Sequence, residues 1–134
     1  MGIIFDTSAI IGIERGRESL DALISGREEE SFGISVITAA ELLHGVERAD
    51  TEERKLRRQA FVEKVIESFP VFPFDLMIGR IYARIWAAVA RKGWTVGAHD
   101  LIIAATAISL DYTVATINIR DFEKIPGVKM EKLQ

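Results

Sequence analysis

The chain has no cysteine and only two histidines, His44 and His99. Disulfides and thiolate metal sites are excluded, and zinc loses its favoured sulfur and imidazole ligands. Proline is scarce, with Pro70, Pro73 and Pro126 the three copies. No Gly/Ser linker, repeat or low-complexity tract marks a domain boundary. The longest apolar run, LIIAATAISL at 101–110, is half of the roughly 20 residues needed to span a bilayer. The N-terminus lacks a basic region and carries Asp6 early, which argues against a secretory signal. The expectation is a cytoplasmic protein with no membrane partner. Positive charge is not in excess either: 17 Lys+Arg face 20 Asp+Glu, for a net −3. That argues against holding nucleic acid mainly by bulk charge, and leaves room for a nucleic-acid enzyme with a local acidic site.

The 134 residues are 49% hydrophobic and 28% charged, as expected of one globular domain spanning 1–134. Short apolar runs alternate with helical patterns. GIIF (2–5) reads as a buried strand, with Thr7 or Ser8 capping the helix that follows. RESLDALIS suggests a second short helix, and SFGISVI a second strand. TAAELLHGVERA (38–49) has helical spacing, with Thr38 and Glu41 in capping-box positions. The next helix runs to Phe69 from a capping box at Asp50 and Glu53. PVFPF is a third strand, which its prolines confine to a sheet edge. Residues 75–92 form the clearest helix, with Ile78, Ile81, Tyr82, Ile85, Trp86 and Val89 on one stripe. A helix over 98–109, a strand YTVAT and a short strand VKM complete the chain. The class is α/β, with a parallel sheet covered on both faces.

Right-handed crossovers send strand ends and helix starts to one edge of such a sheet, where ligands bind. Asp6 ends strand one, and Glu41 lies in the first turn after strand two. Asp100 opens the helix before strand four, and Asp121, with Asn118, lies in the loop after it. Each acid has a plain structural use: Asp6 in an Asx-turn or as the cap of the next helix, Asp121 as a turn cap, Glu41 in a capping box, Asp100 against a helix dipole. Together they pose a problem. Two carboxylates about 4 Å apart repel by roughly 4 kcal/mol at an effective dielectric of 20. A cluster needs protons or a cation. All-oxygen ligands favour Mg²⁺ or Mn²⁺, which suit phosphodiester hydrolysis. Glu41 and Asp100 are both open to the role of orienting or deprotonating the attacking water.

The segments IIFDTSAI, SVITAAELLHGV, HDLIIAATAISL and TVATINIRDF resemble, in order and spacing, the four acidic motifs of PIN-domain ribonucleases, most closely the VapC toxins of VapBC toxin–antitoxin pairs. The resemblance spans essentially the whole chain. It implies a three-layer α/β/α sandwich with about five strands in the order 3-2-1-4-5. It also implies an Mg²⁺- or Mn²⁺-dependent endoribonuclease, often a homodimer, blocked by a VapB-like antitoxin segment laid over the site. The family's catalytic and metal-binding acids fall on Asp6, Glu41 and Asp100. The more variable fourth falls on Asp121, and Asn118 sits where some members carry another acid. Thr7, Ser8 and Thr116 match positions whose hydroxyls orient carboxylates.

RNA also needs positive charge. Arg80, Arg84 and Arg91 crowd one helix, and Lys92 and Arg120 lie near; phosphate contact competes here with a plain solvated face. Trp94, expected in a loop, is suited to stacking on a base or to packing beneath the loop. His44 lacks the second Glu-x-x-His pair of a di-iron site. His99 is expected to face away from Asp100. Ile10, Ile11, Ile13, Leu20 and Leu23 suggest an apolar groove for a partner, against core burial. Rival functions are a PIN nuclease of RNA maturation, an inert binding module, and an aspartyl-nucleophile phosphatase. The last wants a second acid where Ser8 stands, and it leaves Glu41 without a task.

Overall fold

Strand β1 (Gly2–Phe5) is followed by helices α1 (Thr7–Glu14) and α2 (Leu20–Ile24), then β2 (Ser31–Ser35), in a computed structural model that describes residues 1–133. Next come α3 (Val36–Glu47), α4 (Glu52–Ser68), the two-residue β3 (Val71–Phe72), α5 (Leu76–Arg91) and α6 (Ala98–Leu110). The chain closes with β4 (Thr113–Thr116), α7 (Ile119–Glu123) and β5 (Lys129–Lys132). The five strands form one parallel sheet ordered β3-β2-β1-β4-β5. The proline-flanked β3 takes an edge, as expected, because proline has no ladder N–H to give.

Alternation along β1 splits the core in two. Ile3 and Phe5 pack with Ala39, Leu42 and Val46 of α3 and Val62 and Val65 of α4. Ile4 points the other way and packs with α5, α6 and Phe122 of α7. The sheet is thus buried on both faces, which is why its central strands are uniformly apolar. Helix α6 is the innermost, with Leu101 to Ala107 all buried; its alanines let it lie close on the sheet. Gly12 does the same for α1: a Cβ there would meet Ile117 Cδ1 at 2.7 Å.

Several local expectations are corrected. Of the caps open to helix α1, Asp6 takes the place and not Thr7 or Ser8. Helix α3 starts two residues before Thr38, because the Ser35 hydroxyl accepts from the Ile37 N–H and ends the strand there. The β-branched Val36 and Ile37 follow the cap, not their strand propensity. Thr38 is therefore inside the helix, the Thr38–Glu41 capping box does not form, and Glu41 lies in the second turn. Helix α4 is capped by Thr51, and Asp50 instead pairs with Arg54 at 2.9 Å. Trp86 is 56% exposed and so not core. Asp121 sits on the short helix α7. Ile10 is core, while Ile11, Ile13, Leu20 and Leu23 pack against that same cluster, so burial accounts for most of the early apolar surface.

Candidate active site

The strand order reverses between β1 and β4, and ligands of open α/β sheets bind where it does. Here Asp6 follows β1 and Thr116 ends β4. Register pairs Phe5 with Ala115, and the Asp6 N–H donates to the Ala115 carbonyl at 3.1 Å, so Asp6 and Thr116 lie side by side.

Asp6 is 3% exposed. Its Oδ1 accepts from the Ala9 N–H at 2.9 Å and the Ser8 hydroxyl at 2.8 Å. Its Oδ2 accepts from the Thr116 hydroxyl at 2.5 Å. Thr116 Oγ1 and Ser8 Oγ are fixed in turn by the N–H groups of Asn118 (2.8 Å) and Ile117 (3.2 Å). Burial pushes the Asp6 carboxyl above its ordinary value and the charge on Glu41 adds to this; Thr116, Ala9 and Ser8 pull the other way. Hydrogen bonds to a charged group contribute roughly 1.5–3 kcal/mol each.

Glu41 is also held at both oxygens. The Thr7 hydroxyl donates to Oε1 at 2.6 Å and lies 3.2 Å from Thr38 Oγ1. His99 Nδ1 is 3.2 Å from Oε2. Sequence reasoning had His99 facing away from Asp100 and gave it no part at Glu41, a contact that the structure adds. The residue beside Asp100 on α6 reaches across to α3, a tertiary contact no local pattern encodes.

Asp100 and Asp121 receive different treatment. Neither carboxylate accepts a side-chain or backbone hydrogen bond among the described residues. Burial, then the charges on Asp6, Asp121 and Glu41, push Asp100 up to about 6, against a smaller pull from His99. All four acids therefore share one field. Among the described residues, however, no three Asp, Glu or His side chains stand in an arrangement that could hold an ion. The donor chemistry, oxygen only, fits a hard divalent cation. Drawing these acids closer demands a counter-charge, which is the condition such a cation would meet.

A sequence-family model described as PIN domain matches residues 3–128. The chain belongs to the PIN-domain family. Ribonuclease VapC1 of Rickettsia felis is 38% identical over 133 residues, covering 97% of this chain and 95% of that protein. The tRNA(fMet)-specific endonuclease VapC of Salmonella typhimurium is 41% identical over 98 residues, covering 73% and 72% respectively. Among solved structures, DNA-bound VapBC from Salmonella typhimurium superposes with a TM-score of 0.86 at 32% identity, over 98% of both chains.

Beside the acids of this PIN domain runs a groove of about 760 Å³. Thr7, Glu41 and His99 line its near end; Ile11, Ile37, Leu42 and Val62 contribute apolar lining. Arg15, Arg48, Arg54 and Arg58 also border it, a basic set that sequence reasoning missed because it is scattered over α1, α4 and the end of α3. The expected basic residues lie elsewhere on the PIN domain. Arg80, Arg84 and Arg91 are exposed on α5, Lys92 follows it, and Arg120 is exposed beside Asp121. His44 lines the groove, and the Asn118 side chain is exposed without a bond to Asp6. No helix among the described residues is long and apolar enough to cross a membrane.

Proposed function

We propose that this PIN domain is an Mg²⁺- or Mn²⁺-dependent endoribonuclease, the toxin of a type II toxin–antitoxin pair. The observation that supports this best is the mutual charge coupling of Asp6, Glu41, Asp100 and Asp121 at the switch point of the sheet. The names of the relatives point the same way.

The four acids would hold the cation, directly or through water. The chemistry it would supply there is polarisation of the phosphodiester, a more acidic attacking water and stabilisation of the leaving oxygen. The chain's own part is to aim the carboxylates. Thr116, Ser8 and the Ala9 N–H lock Asp6, and Thr7 and His99 lock Glu41. Asp100, free of donors, changes protonation near pH 6 when no cation is present. Arg120, beside Asp121, with Lys92, Arg91, Arg84 and Arg80 supplies positive charge for the RNA backbone.

A VapB-like antitoxin segment docks in the groove beside Glu41. Its apolar residues suit the hydrophobic face of a helix, and its end at Thr7, Glu41 and His99 puts that segment over the acids. The solved VapBC complex from Salmonella typhimurium makes this pairing the natural expectation. Two copies would pair through the exposed Leu76, Met77 and Trp86 of α5. The test is partner-free protein incubated with total cellular RNA plus Mn²⁺ or chelator, with the new ends mapped. Discrete cuts that vanish with chelator are expected. Intact RNA under both conditions overturns the reading.

A further inference from the structure

A second cavity, of about 210 Å³, lies at the far end of α7 from Asp121. Its apolar walls come from Ala88, Trp94, Ile125 and Pro126, with the cations Lys92 and Lys124 and the single acid Glu123 around it. Trp94 is 43% exposed, on a connection that belongs to no helix or strand. Burial in the core does not account for so large an apolar ring at such a place. Lys92 Nζ stands 4.9 Å from the centre of that ring.

Both walls of this cavity continue into the acid rim. The segment carrying Trp94 leads through Gly97 into the first turn of α6, where Asp100 sits. Helix α7 carries Asp121 in its first turn, and Lys124 follows its last residue. Three residues of helix advance by about 4.5 Å, so the cavity begins within reach of a nucleotide next to the one at the acids. A part-exposed aromatic ring with Lys92 lying over it and Lys124 beside the cavity is the chemistry that captures an unstacked base and its phosphate, the base taking the ring as the lysine moves onto the phosphate. The cavity is also too small for a helix.

Resting on the ribonuclease reading, we propose that this cavity is a subsite for one unstacked base of single-stranded RNA flanking the scissile phosphate, with Trp94 as its stacking surface and Lys92 and Lys124 on the backbone. Two tryptophans are present, so Trp86→Phe leaves Trp94 as the sole reporter. This variant is titrated with a short single-stranded oligoribonucleotide spanning a mapped cut, in chelator so that the strand stays intact. Saturable quenching of Trp94 is expected, with the midpoint given by anisotropy of the labelled strand. It should disappear when one particular nucleotide beside the cut is made abasic. In the cleavage assay Trp94→Ala should raise KM roughly tenfold with kcat little changed, and Trp94→Phe should recover most of the loss. Equal melting temperatures establish that both variants fold.

Bound RNA that leaves Trp94 fluorescence unmoved, indifference to every abasic position, or an unchanged KM in Trp94→Ala each overturns the subsite. So does quenching by the co-expressed antitoxin alone, which makes the cavity a protein contact. Failure of the wild-type chain to cut RNA with Mn²⁺ sinks the ribonuclease reading instead, whereas a wild-type chain that cuts RNA while Trp94 stays silent overturns the subsite alone.

Discussion

Asp6 and Asp100 face the same rim and are treated in opposite ways. Asp6 is nearly inaccessible, caps α1 and accepts three hydrogen bonds. Asp100 is half-buried, accepts none from the described residues, and lies in the field of three other acids. The protein has built a fully bonded carboxyl on the β1 side and left one without donors among the described residues on the α6 side. A folding requirement accounts for the first, since α1 needs its cap. Folding gives the second only the modest help of the α6 dipole, against the cost of a partly desolvated carboxyl with no donor among the described residues. That contrast supports the proposal that these acids serve a ligand.

Substitution should break the two acids apart most visibly. Asp6→Ala and Asp100→Asn should each lower RNA cleavage by about 10³-fold or more, since several kcal/mol of transition-state stabilisation goes with either. Their stabilities should diverge. Asp6→Ala removes a cap and strands the Thr116 hydroxyl, a loss of about 2–3 kcal/mol in a denaturation curve. Asp100→Asn should melt no lower than wild type at neutral pH, because a repelled charge is gone. A severe loss of stability in Asp100→Asn would make that residue structural and dissolve the comparison.

pH sharpens the same contrast. The Asp100 carboxyl titrates at 3.8 when unfolded and about 6 when folded. Between those values the native state holds more proton than the unfolded chain, so stability falls as pH rises. Cation-free protein should therefore lose melting temperature from about pH 4 to pH 7, and Asp100→Asn should flatten much of that slope. Burial moves Asp6 in the same direction, so some slope remains in the variant. Millimolar Mn²⁺ should raise the melting temperature most at the upper end of the range, where Asp100 is ionised. A cation-free chain that gains stability from pH 4 to 7 would contradict this account.

The donors around Asp6 set the next scale. Thr116→Val keeps the shape of the side chain and removes the 2.5 Å hydrogen bond. Supporting bonds of this kind are worth about 10–100-fold in metal affinity or activity. Mn²⁺ titrated against melting temperature should show a midpoint shifted by that factor. An unshifted midpoint would mean that the hydroxyl serves folding alone.

How much of this was legible beforehand depends on where each signal lies. GIIF, the 75–92 stripe and the alanine-rich 98–109 helix carry their pattern in consecutive residues, and the structure has them nearly to the residue. The strand order came from resemblance in the acidic motifs; the parallel sheet came from alternating periods. Signals shared between segments were harder to see. Ser35 reads as the middle of a strand until its hydroxyl is seen to cap α3, and that cap moved Glu41 from the first turn to the second. Trp86 satisfies the helical stripe, yet it is 56% exposed, its ring lying against Tyr82 one turn back on the same helix. The four acids could be assigned to one edge by topology, but their donors could not. Thr7 and His99 reach Glu41 from α1 and α6, across 34 and 58 residues of chain.

Glu41 repeats the contrast on a smaller scale and gives the smallest expected effects. Its Oε1 takes a 2.6 Å bond from the partly buried Thr7, and its Oε2 a 3.2 Å contact from His99, whose side chain is 54% exposed. Water can replace His99 at the outer oxygen far more readily than Thr7 at the inner one, and solvent screens the outer pair. Thr7→Val should lower kcat by about tenfold or more, within the range for supporting bonds. His99→Ala should lower it by only about two- to fivefold, with KM and melting temperature nearly unchanged. His99→Gln, which restores a donor, should recover most of that. If His99→Ala proves as damaging as Thr7→Val, the exposed side of Glu41 is as tightly built as the buried side, and the division of this rim into held and free carboxylates must be redrawn around the histidine.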